Sequence, residues 1–232
     1  MDLKLLRRVP FLGALTPPEL RRIARIAYER DFSAGKTIFS KAESGSRMFI
    51  VISGRVRIFT RSGGKKRKTF AYLAPGEFFG EMALVDGHTR SASAEAVEDS
   101  RLLVIRKADF KGLLMSDPKL TCYLLRTVSE RLRQANAEIE NLLFRNLLGR
   151  VSNTLADLAR RGRKFRGGVL LKERYTQQEL ADLVGTTREP LARALSTIRR
   201  AQILDLHHGR YFIRSPQKLY ALCPPCPHEA LP

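Results

Sequence analysis

The sequence has no tryptophan and only three cysteines, Cys122, Cys223 and Cys226. So small and odd a number of cysteines argues against a disulfide framework and agrees with a reducing compartment. No apolar run approaches the roughly 20 residues that a transmembrane helix needs. The basic segment 1–10 lacks the apolar core of a secretory signal. We therefore expect a cytoplasmic protein without a membrane span.

Acidic residues are scarce as well. The 232 residues include 42 lysines and arginines against 23 aspartates and glutamates, which gives a formal net charge of +19. An excess of this size indicates a polyanionic partner, either a nucleic acid or an anionic membrane surface. The basic residues are spread along the chain, so charge alone does not locate the binding region.

In the N-terminal half, a helical sequence pattern is followed by patterns that are typical of strands. Thr16 is a candidate N-cap before two prolines, and we expect the helix that it starts to end near Asp31. Short apolar runs separated by glycine-containing turns then predict strands at 37–39, 48–52, 56–59, 69–73 and 102–105. Many short strands of this kind indicate a small barrel or β-roll. The basic cluster at 61–68 is either a solvated hairpin tip or a contact with a nucleotide, with DNA or with the other domain.

A long helix is predicted at 117–146. Its apolar residues recur at spacings of three and four, as in a coiled coil, at Leu125, Val128, Leu132, Ala135, Ile139 and Leu142. The stripe could pack inside one chain, but its length and regularity favour a parallel interface between two copies. The small side chain of Ala135 would let the two backbones approach closely.

In the C-terminal part, the basic, glycine-containing segment 160–168 is predicted to be a loop, and the pattern of two short helices joined by a tight turn follows it. Thr176 and Glu179 predict a capping box at the start of the first helix. Gly185 is expected to end that helix, and Thr187 is a candidate N-cap of the second. This is the arrangement of a helix-turn-helix, whose second helix enters the major groove by its N-terminus.

The second helix carries three candidate base-contacting residues, Arg188, Glu189 and Arg193. Arginine suits the O6 and N7 atoms of guanine, and glutamate can accept a hydrogen bond from N4 of cytosine. The structural alternative is an exposed salt bridge between Glu189 and Arg193, which project together four residues apart. The remaining predicted DNA-binding residues are Thr176, Gln177 and Thr187.

A second motif, FGEMAL at 79–84 followed by RSA at 90–92, lies inside the predicted roll. Glu81 can accept a hydrogen bond from a ribose 2′-hydroxyl, and Arg90 can hold a phosphate with charge-assisted hydrogen bonds. Neighbouring residues of the motif can complete an anion nest, and the predicted ligand set includes Gly80, Met82, Ser91 and Ala92. The alternative is a Glu81–Arg90 ion pair in a domain that has lost its ligand or takes another effector.

The two motifs together resemble one family. The segment 175–204 is similar to the helix-turn-helix of the cyclic-AMP receptor and fumarate-nitrate regulator family, and 79–92 resembles the phosphate-binding cassette of cyclic nucleotide-binding domains. The resemblance covers essentially the whole chain and implies an α+β fold. Its parts are a cyclic-nucleotide-binding β-roll at 1–116, a dimerisation helix at 117–146 and a winged helix-turn-helix at 147–232, with the wing near 203–213.

The resemblance implies a homodimeric, sequence-specific transcription regulator under allosteric control by a cyclic nucleotide. Cyclic AMP is the first candidate effector and cyclic GMP the second, and no metal is expected. The implied partners are palindromic DNA with TGTGA-like half-sites and RNA polymerase. An alternative keeps the DNA-binding regulator but makes it constitutive or responsive to a cyclic dinucleotide, haem or a redox signal.

Two positions depart from the family pattern. Where the receptor type has a threonine-serine pair that contacts adenine, this chain has Ala135 and Asn136, so only the Asn136 amide is left to bond a purine edge. An earlier family glycine is replaced by Ala42.

Other functions have weaker support. Cys223, Cys226 and His228 supply three of the four ligands of a tetrahedral metal site, and we expect a weakly ordered tail after Pro216. A haem sensor remains an alternative, with His88, His207 and His208 as the candidate haem ligands. The sequence offers no nucleophile–base pair and no credible pair of catalytic carboxylates. A kinase regulatory subunit would share the cassette but not the helix-turn-helix, so we expect no enzyme.

Overall fold

The computed structural model describes residues 16–62 and 67–222. Among these residues the chain forms two compact units, one with residues 16–60 and 69–130 and the other with residues 61–62, 67–68 and 131–222. Both units combine helices with antiparallel strands, so the α+β class is confirmed. The sequence-based domain limits at 116 and 146 remain a prediction. Within the described residues, no helix is long and apolar enough to cross a membrane.

The first unit opens with helix α1 (Pro17–Ile26), which buries Leu20 and Ile23 completely. The predicted end of this helix near Asp31 was wrong. Residues Tyr28–Phe32 form strand β1, which pairs antiparallel with strand β8 (Ser100–Arg106). Only Phe32 of β1 is buried, so the strand has no apolar alternation by which the sequence could reveal it.

Two four-stranded antiparallel sheets build the β-roll. One has the strand order β1-β8-β3-β6 and the other β2-β7-β4-β5. The remaining strands are β2 (Thr37–Phe39), β3 (Arg47–Ser53), β4 (Val56–Arg61), β5 (Arg67–Leu73), β6 (Phe78–Phe79) and β7 (Ser93–Ala96). The five predicted strands are confirmed, whereas β1, β6 and β7 were missed because they are very short or polar.

Strand β3 is buried on both faces. Phe49 and Val51 face the interior of the roll, while Met48 and Ile50 pack in a second cluster with α1 and three further helices. These helices are α2 (Met82–Val85) within the roll, α3 (Lys107–Ser116) after it, and the long helix α4 (Pro118–Phe144). Burial on both faces explains why the β3 sequence is continuously apolar instead of alternating.

Helix α4 confirms the long helix expected from the sequence. Its 27 residues span roughly 40 Å at about 1.5 Å per residue. At its start, Oδ1 of Asp117 accepts hydrogen bonds from the backbone N–H groups of Lys119 and Leu120 at 2.9 and 3.3 Å. The carboxylate thereby satisfies N–H groups that have no partner inside the helix.

Besides residues 131–144 of α4, the described part of the second unit contains four helices and a small sheet of order β11-β12-β10-β9. Its elements are α5 (Leu147–Arg160), β9 (Arg163–Phe165), β10 (Gly168–Leu170), α6 (Gln177–Val184), α7 (Arg188–Arg200), β11 (Leu204–His207), β12 (Arg210–Ile213) and α8 (Pro216–Ala221). The hairpin β11–β12 is the expected wing.

Two predictions in this unit were wrong. The basic segment 160–168 was expected to be a loop, but it contributes to the β9–β10 hairpin, because β10 pairs with β12. The chain after Pro216 was expected to be weakly ordered, yet it begins with helix α8. The Ser215 hydroxyl accepts a hydrogen bond from the N–H of Lys218, and Leu219 is buried. Cys223, Cys226, His228 and the segment 1–10 lie outside the described residues.

Candidate functional site

The start of helix α6 is fixed by the predicted capping box. The hydroxyl of Thr176 accepts a hydrogen bond from the backbone N–H of Glu179 at 3.2 Å, and the Glu179 carboxylate accepts one from the N–H of Thr176 at 2.7 Å. Both helix-end N–H groups are therefore satisfied. The exposed Gln177 follows as the first residue of the helix.

The turn between α6 and α7 requires its glycine. Gly185 has a φ of +77°, a left-handed conformation in which a side chain is strained. Its N–H and that of Thr186 both donate to the carbonyl oxygen of Ala181 at 2.9 Å. Thr187 then occupies the N-cap position of α7, although its side chain makes no capping hydrogen bond. The predicted helix-turn-helix is confirmed.

The apolar faces of the two helices pack together and orient the candidate base-contacting residues outward. The buried residues are Leu180, Ala181, Val184, Leu191, Leu195 and Ile198. Arg188, Glu189 and Arg193 are exposed on the opposite side of α7. The salt bridge considered as the alternative is present, with Nη1 of Arg193 at 2.6 Å from Oε1 of Glu189. Such an exposed pair contributes less than about 1 kcal/mol, so contacts to bases can replace it.

The apolar stripe of α4 is exposed. Leu125 is 61%, Leu132 62% and Ile139 54% accessible, and Val128 and Leu142 belong to the same exposed stripe. A contiguous apolar strip along a helix is the signature of a surface that another protein segment covers.

The cassette places Glu81 and Arg90 inside the first unit. Glu81, at the N-terminus of α2, is 1% accessible and Arg90 is 5% accessible. The Arg90 guanidinium donates to the carbonyl oxygens of Gly80 and Arg47, both at 2.6 Å. Its Cζ atom also lies 4.1 Å from the ring centre of Phe39, in a cation–π contact.

Arg90 is a buried cation whose hydrogen-bonding capacity is incompletely used. Burial lowers the pKa of its guanidinium, and the carboxylates of Glu81 and Glu43 act in the opposite direction. An arginine nevertheless stays charged at neutral pH. Its Nε atom is buried without a hydrogen-bond partner among the described residues. The Nε–H group is therefore a donor that the described residues leave unused.

The glycines around Arg90 permit this close packing. A Cβ atom on Gly80 would lie 2.7 Å from Nη1 of Arg90, and one on Gly45 would lie 2.4 Å from the Cβ atom of Ala83. Sequence reasoning identified Gly80 but missed Gly45 and Phe39, because neither belongs to the motif.

The other predicted ligand residues have less distinctive surroundings. The Ser91 hydroxyl lies 3.6 Å from the sulfur of Met82, and both side chains are exposed. Ala92 is half-buried. Asn136 belongs to the second unit and is exposed on α4. The ligand roles of these residues remain predictions.

The basic hairpin tip is not simply solvated. In the second unit, Nζ of Lys68 donates to Oε1 of Glu138 on α4 and to the carbonyl oxygen of Leu183, both at 2.5 Å. The Leu183 carbonyl lies in the last turn of α6, where carbonyl oxygens lack helical partners and a cation is favourable. Lys65 and Lys66 lie outside the described residues.

Comparison with known proteins identifies two modules. A cyclic nucleotide-binding domain model matches residues 29–117 and a Crp-like helix-turn-helix domain model matches residues 149–222. The chain is 36% identical, over 88% of its length and 92% of the relative, to a cyclic AMP receptor protein of Thermus thermophilus. It is 30% identical, over 93% of its length and 97% of the relative, to a CRP-like cAMP-activated global transcriptional regulator of Mycobacterium tuberculosis.

A solved structure has the same fold. The c-di-GMP responsive global regulator CLP of Xanthomonas campestris aligns with a TM-score of 0.75 at 23% identity, over 86% of this chain and all of that one (100%). The two modules define a DNA-binding regulator with a nucleotide-binding sensor domain. The chain belongs to the CRP/FNR family of transcription regulators.

Proposed function

We propose that the protein is a homodimeric, sequence-specific DNA-binding regulator whose affinity for DNA is controlled by a cyclic nucleotide in its first unit. Arg90 is the observation that carries the proposal. Its guanidinium, which is 5% accessible, lies within electrostatic range of the Glu81 carboxylate, which is 1% accessible, and the two groups are the cation and the acceptor that a nucleotide phosphate and its ribose hydroxyl require.

The proposed effector is cyclic AMP. Its phosphate carries one negative charge, for which Arg90 would be the cationic partner, and Glu81 would accept a hydrogen bond from the ribose hydroxyl. Gly80, Met82, Ser91 and Ala92 would line the ligand, and Asn136 would bond the purine. Both curated relatives are named for cyclic AMP, whereas CLP is described as responsive to c-di-GMP, so the fold by itself does not select the effector.

The proposed dimer interface is the exposed stripe of α4. Two copies in parallel would bury Leu125, Leu132 and Ile139 of each chain against each other, as the coiled-coil spacing favours. Burial of apolar surface gives roughly 25 cal/mol per Å², and no other described element of the chain offers so long an exposed apolar strip. Leu132→Glu is therefore expected to give a monomer in sedimentation equilibrium, with Gln134→Glu at an exposed position beside the stripe as the control that adds the same charge.

The dimer would present two α7 helices to a palindrome. In helix-turn-helix dimers the two helices enter successive major grooves about 34 Å apart, and Arg188, Glu189 and Arg193 would contact a TGTGA-like half-site. Thr176, Gln177 and Thr187 would contact the DNA backbone beside it. The nucleotide acts by binding more tightly to the dimer geometry that fits DNA. RNA polymerase is the proposed protein partner at the promoter.

The test is fluorescence anisotropy of a labelled TGTGA-N6-TCACA duplex with purified protein, with and without cyclic AMP at fixed salt. Tighter binding with cyclic AMP, absent on a duplex with both half-sites scrambled, supports the proposal. Specific binding that is indifferent to cyclic AMP would contradict the proposed effector and favour a constitutive dimer or another signal. Equal affinity for the two duplexes would contradict sequence-specific recognition.

A further inference from the structure

A basic groove adjoins the recognition helix in the second unit. It has a volume of about 630 Å³ and lies between α7 and the wing β11–β12. Its charged lining consists of Arg199, Arg200, Arg214 and Asp205. None of the four belongs to the residues predicted to contact DNA.

The groove continues the DNA-contacting face of α7. Helical spacing of three and four places Ser196 and Arg200 on the stripe that begins with Glu189 and Arg193. Arg199 likewise continues the stripe that begins with Arg188. Gln177, a predicted DNA-binding residue at the start of α6, lines the same groove. A duplex held by the first turns of α7 would therefore pass alongside the groove.

The electrostatics of the groove favour an anion. Nη2 of Arg214 donates to Oδ2 of Asp205 at 2.6 Å, and this hydrogen bond is the largest cause that lowers the pKa of the Asp205 carboxyl, followed by the backbone N–H of Leu206. The positive charge of Arg199 also acts on Asp205 and on the Tyr211 phenol, whose pKa burial raises.

Asp205 offsets only one of the three guanidinium groups in the groove. Arg199 and Arg200 are exposed, and neither forms an ion pair with another described residue. These two exposed arginine side chains of the groove are thus available to bind an external anion.

We propose that this groove binds the phosphodiester backbone of DNA that flanks the half-site contacted by α7, with Arg199 and Arg200 as the phosphate ligands. The inference rests on the proposed DNA recognition and extends its footprint toward the wing. Arginine suits phosphate because its planar fork donates two parallel hydrogen bonds. An acidic protein segment would meet the same charge, but continuity with the base-contacting stripe favours DNA.

The experiment measures the salt dependence of DNA affinity for the full-length protein, its Arg199→Ala/Arg200→Ala variant, and Arg101→Ala as a control. Arg101 is an exposed arginine of the roll that pairs with Asp31. For B-DNA the slope of log affinity against log salt changes by about 0.9 per phosphate contact. The double variant should therefore have a slope smaller by about two per bound protomer, with an unchanged ratio of specific to scrambled affinity. Arg101→Ala should keep the wild-type slope.

Duplex length gives a second comparison. On a duplex trimmed to the two half-sites, wild type and double variant should bind alike, because the flanking phosphates are missing. A wild-type slope for the double variant on the long duplex, with its thermal unfolding unchanged, would overturn the groove assignment and leave an acidic protein as its occupant. Equal wild-type affinity for palindromic and scrambled duplexes would instead contradict the proposed sequence-specific recognition. Failure of the groove assignment and failure of the proposed recognition are therefore distinguishable.

A variant that is expected to bind DNA more tightly completes the test, because misfolding cannot explain a gain of affinity. Asp205→Asn removes the one carboxylate of the groove while keeping an oxygen that can accept from the N–H of Leu206. It should bind the long duplex roughly two- to fivefold more tightly at low salt. Unchanged or weaker binding by a folded Asp205→Asn protein would count against the proposal.

Discussion

Arg90 and Gly80 are fitted to each other: Nη1 of Arg90 donates to the Gly80 carbonyl oxygen at 2.6 Å, and a Cβ atom on Gly80 would lie 2.7 Å from the same nitrogen. The φ of Gly80, +80°, also belongs to the region that side chains avoid. The cassette therefore holds its cation through backbone geometry as well as through charge, and an incoming phosphate would compete with carbonyl oxygens rather than with a carboxylate for these N–H groups.

Arg90→Lys should weaken cyclic AMP binding by about 10- to 100-fold, because lysine keeps the charge but loses the forked pair of hydrogen bonds. Isothermal titration calorimetry measures the affinity directly. The matched control is Arg47→Lys, since Arg47 contributes only its carbonyl oxygen to Arg90 and its side chain is exposed. Equal affinities of the Arg90→Lys variant and wild type for cyclic AMP would show that Arg90 does not bind the ligand.

Arg188→Ala should lose discrimination at one base pair of each half-site, at a cost of about 1–3 kcal/mol. Competition binding with duplexes that carry single base-pair substitutions locates the affected position. Arg200→Ala is the comparison, because a phosphate contact weakens binding to all sequences alike. If Arg188→Ala weakened binding to specific and random DNA equally, Arg188 would be a backbone contact and not a base contact.

The elements whose signals are local were predictable from the sequence. The capping box of Thr176 and Glu179, the left-handed turn at Gly185 and the apolar spacing of α4 depend on neighbours within a few residues. The cassette was also recognisable, because Glu81 and Arg90 combine residue types that suit a ribose hydroxyl and a phosphate.

The elements that depend on distant pairing were not predictable. Strand β1 is exposed at four of its five positions and forms only because β8 pairs with it. Strands β9 and β10 have three residues each and depend on β12. In the site, the partners of Lys68 lie 70 and 115 residues away in sequence, so its contacts could not be derived from the basic cluster alone.

Ala42→Gly should stabilise the first unit by about 1 kcal/mol. Ala42 has a φ of +68°, and a left-handed conformation costs a residue with a Cβ atom about 1–2 kcal/mol, part of which the greater unfolded-state entropy of glycine offsets. Urea unfolding measures the change. Ala108→Gly in helix α3 serves as the opposite control, because glycine at a helical position is destabilising. A destabilised Ala42→Gly protein would show that the Cβ atom of Ala42 contributes packing that outweighs the strain.

The stability of the second unit should fall as the pH drops below about 6.5, the ordinary pKa of histidine, because of His207 in the wing. Burial lowers the pKa of its imidazole, and the charges of His208, Arg166 and Arg163 lower it further, while Asp205 raises it. The unfolded chain therefore binds a proton at a higher pH than the folded chain does. The neutral His207 imidazole therefore makes its full contribution to the free energy of unfolding above the pKa of the unfolded state. That contribution is lost as the pH falls through the pKa of the folded state.

His207→Phe isolates this contribution, because a phenyl ring can keep the packing on Phe165, whose ring centre lies 4.8 Å from that of His207. We expect the free energy of unfolding of the variant, measured in urea at pH 7.5, 6.5 and 5.5, to decline less on acidification than that of wild type. His88→Gln in the first unit controls for the loss of a histidine as such and should keep the wild-type decline. Parallel pH curves for wild type and His207→Phe would mean that the acid sensitivity arises elsewhere. A phosphate bound beside the wing would favour the protonated imidazole, so DNA should diminish the difference between the two proteins at pH 5.5.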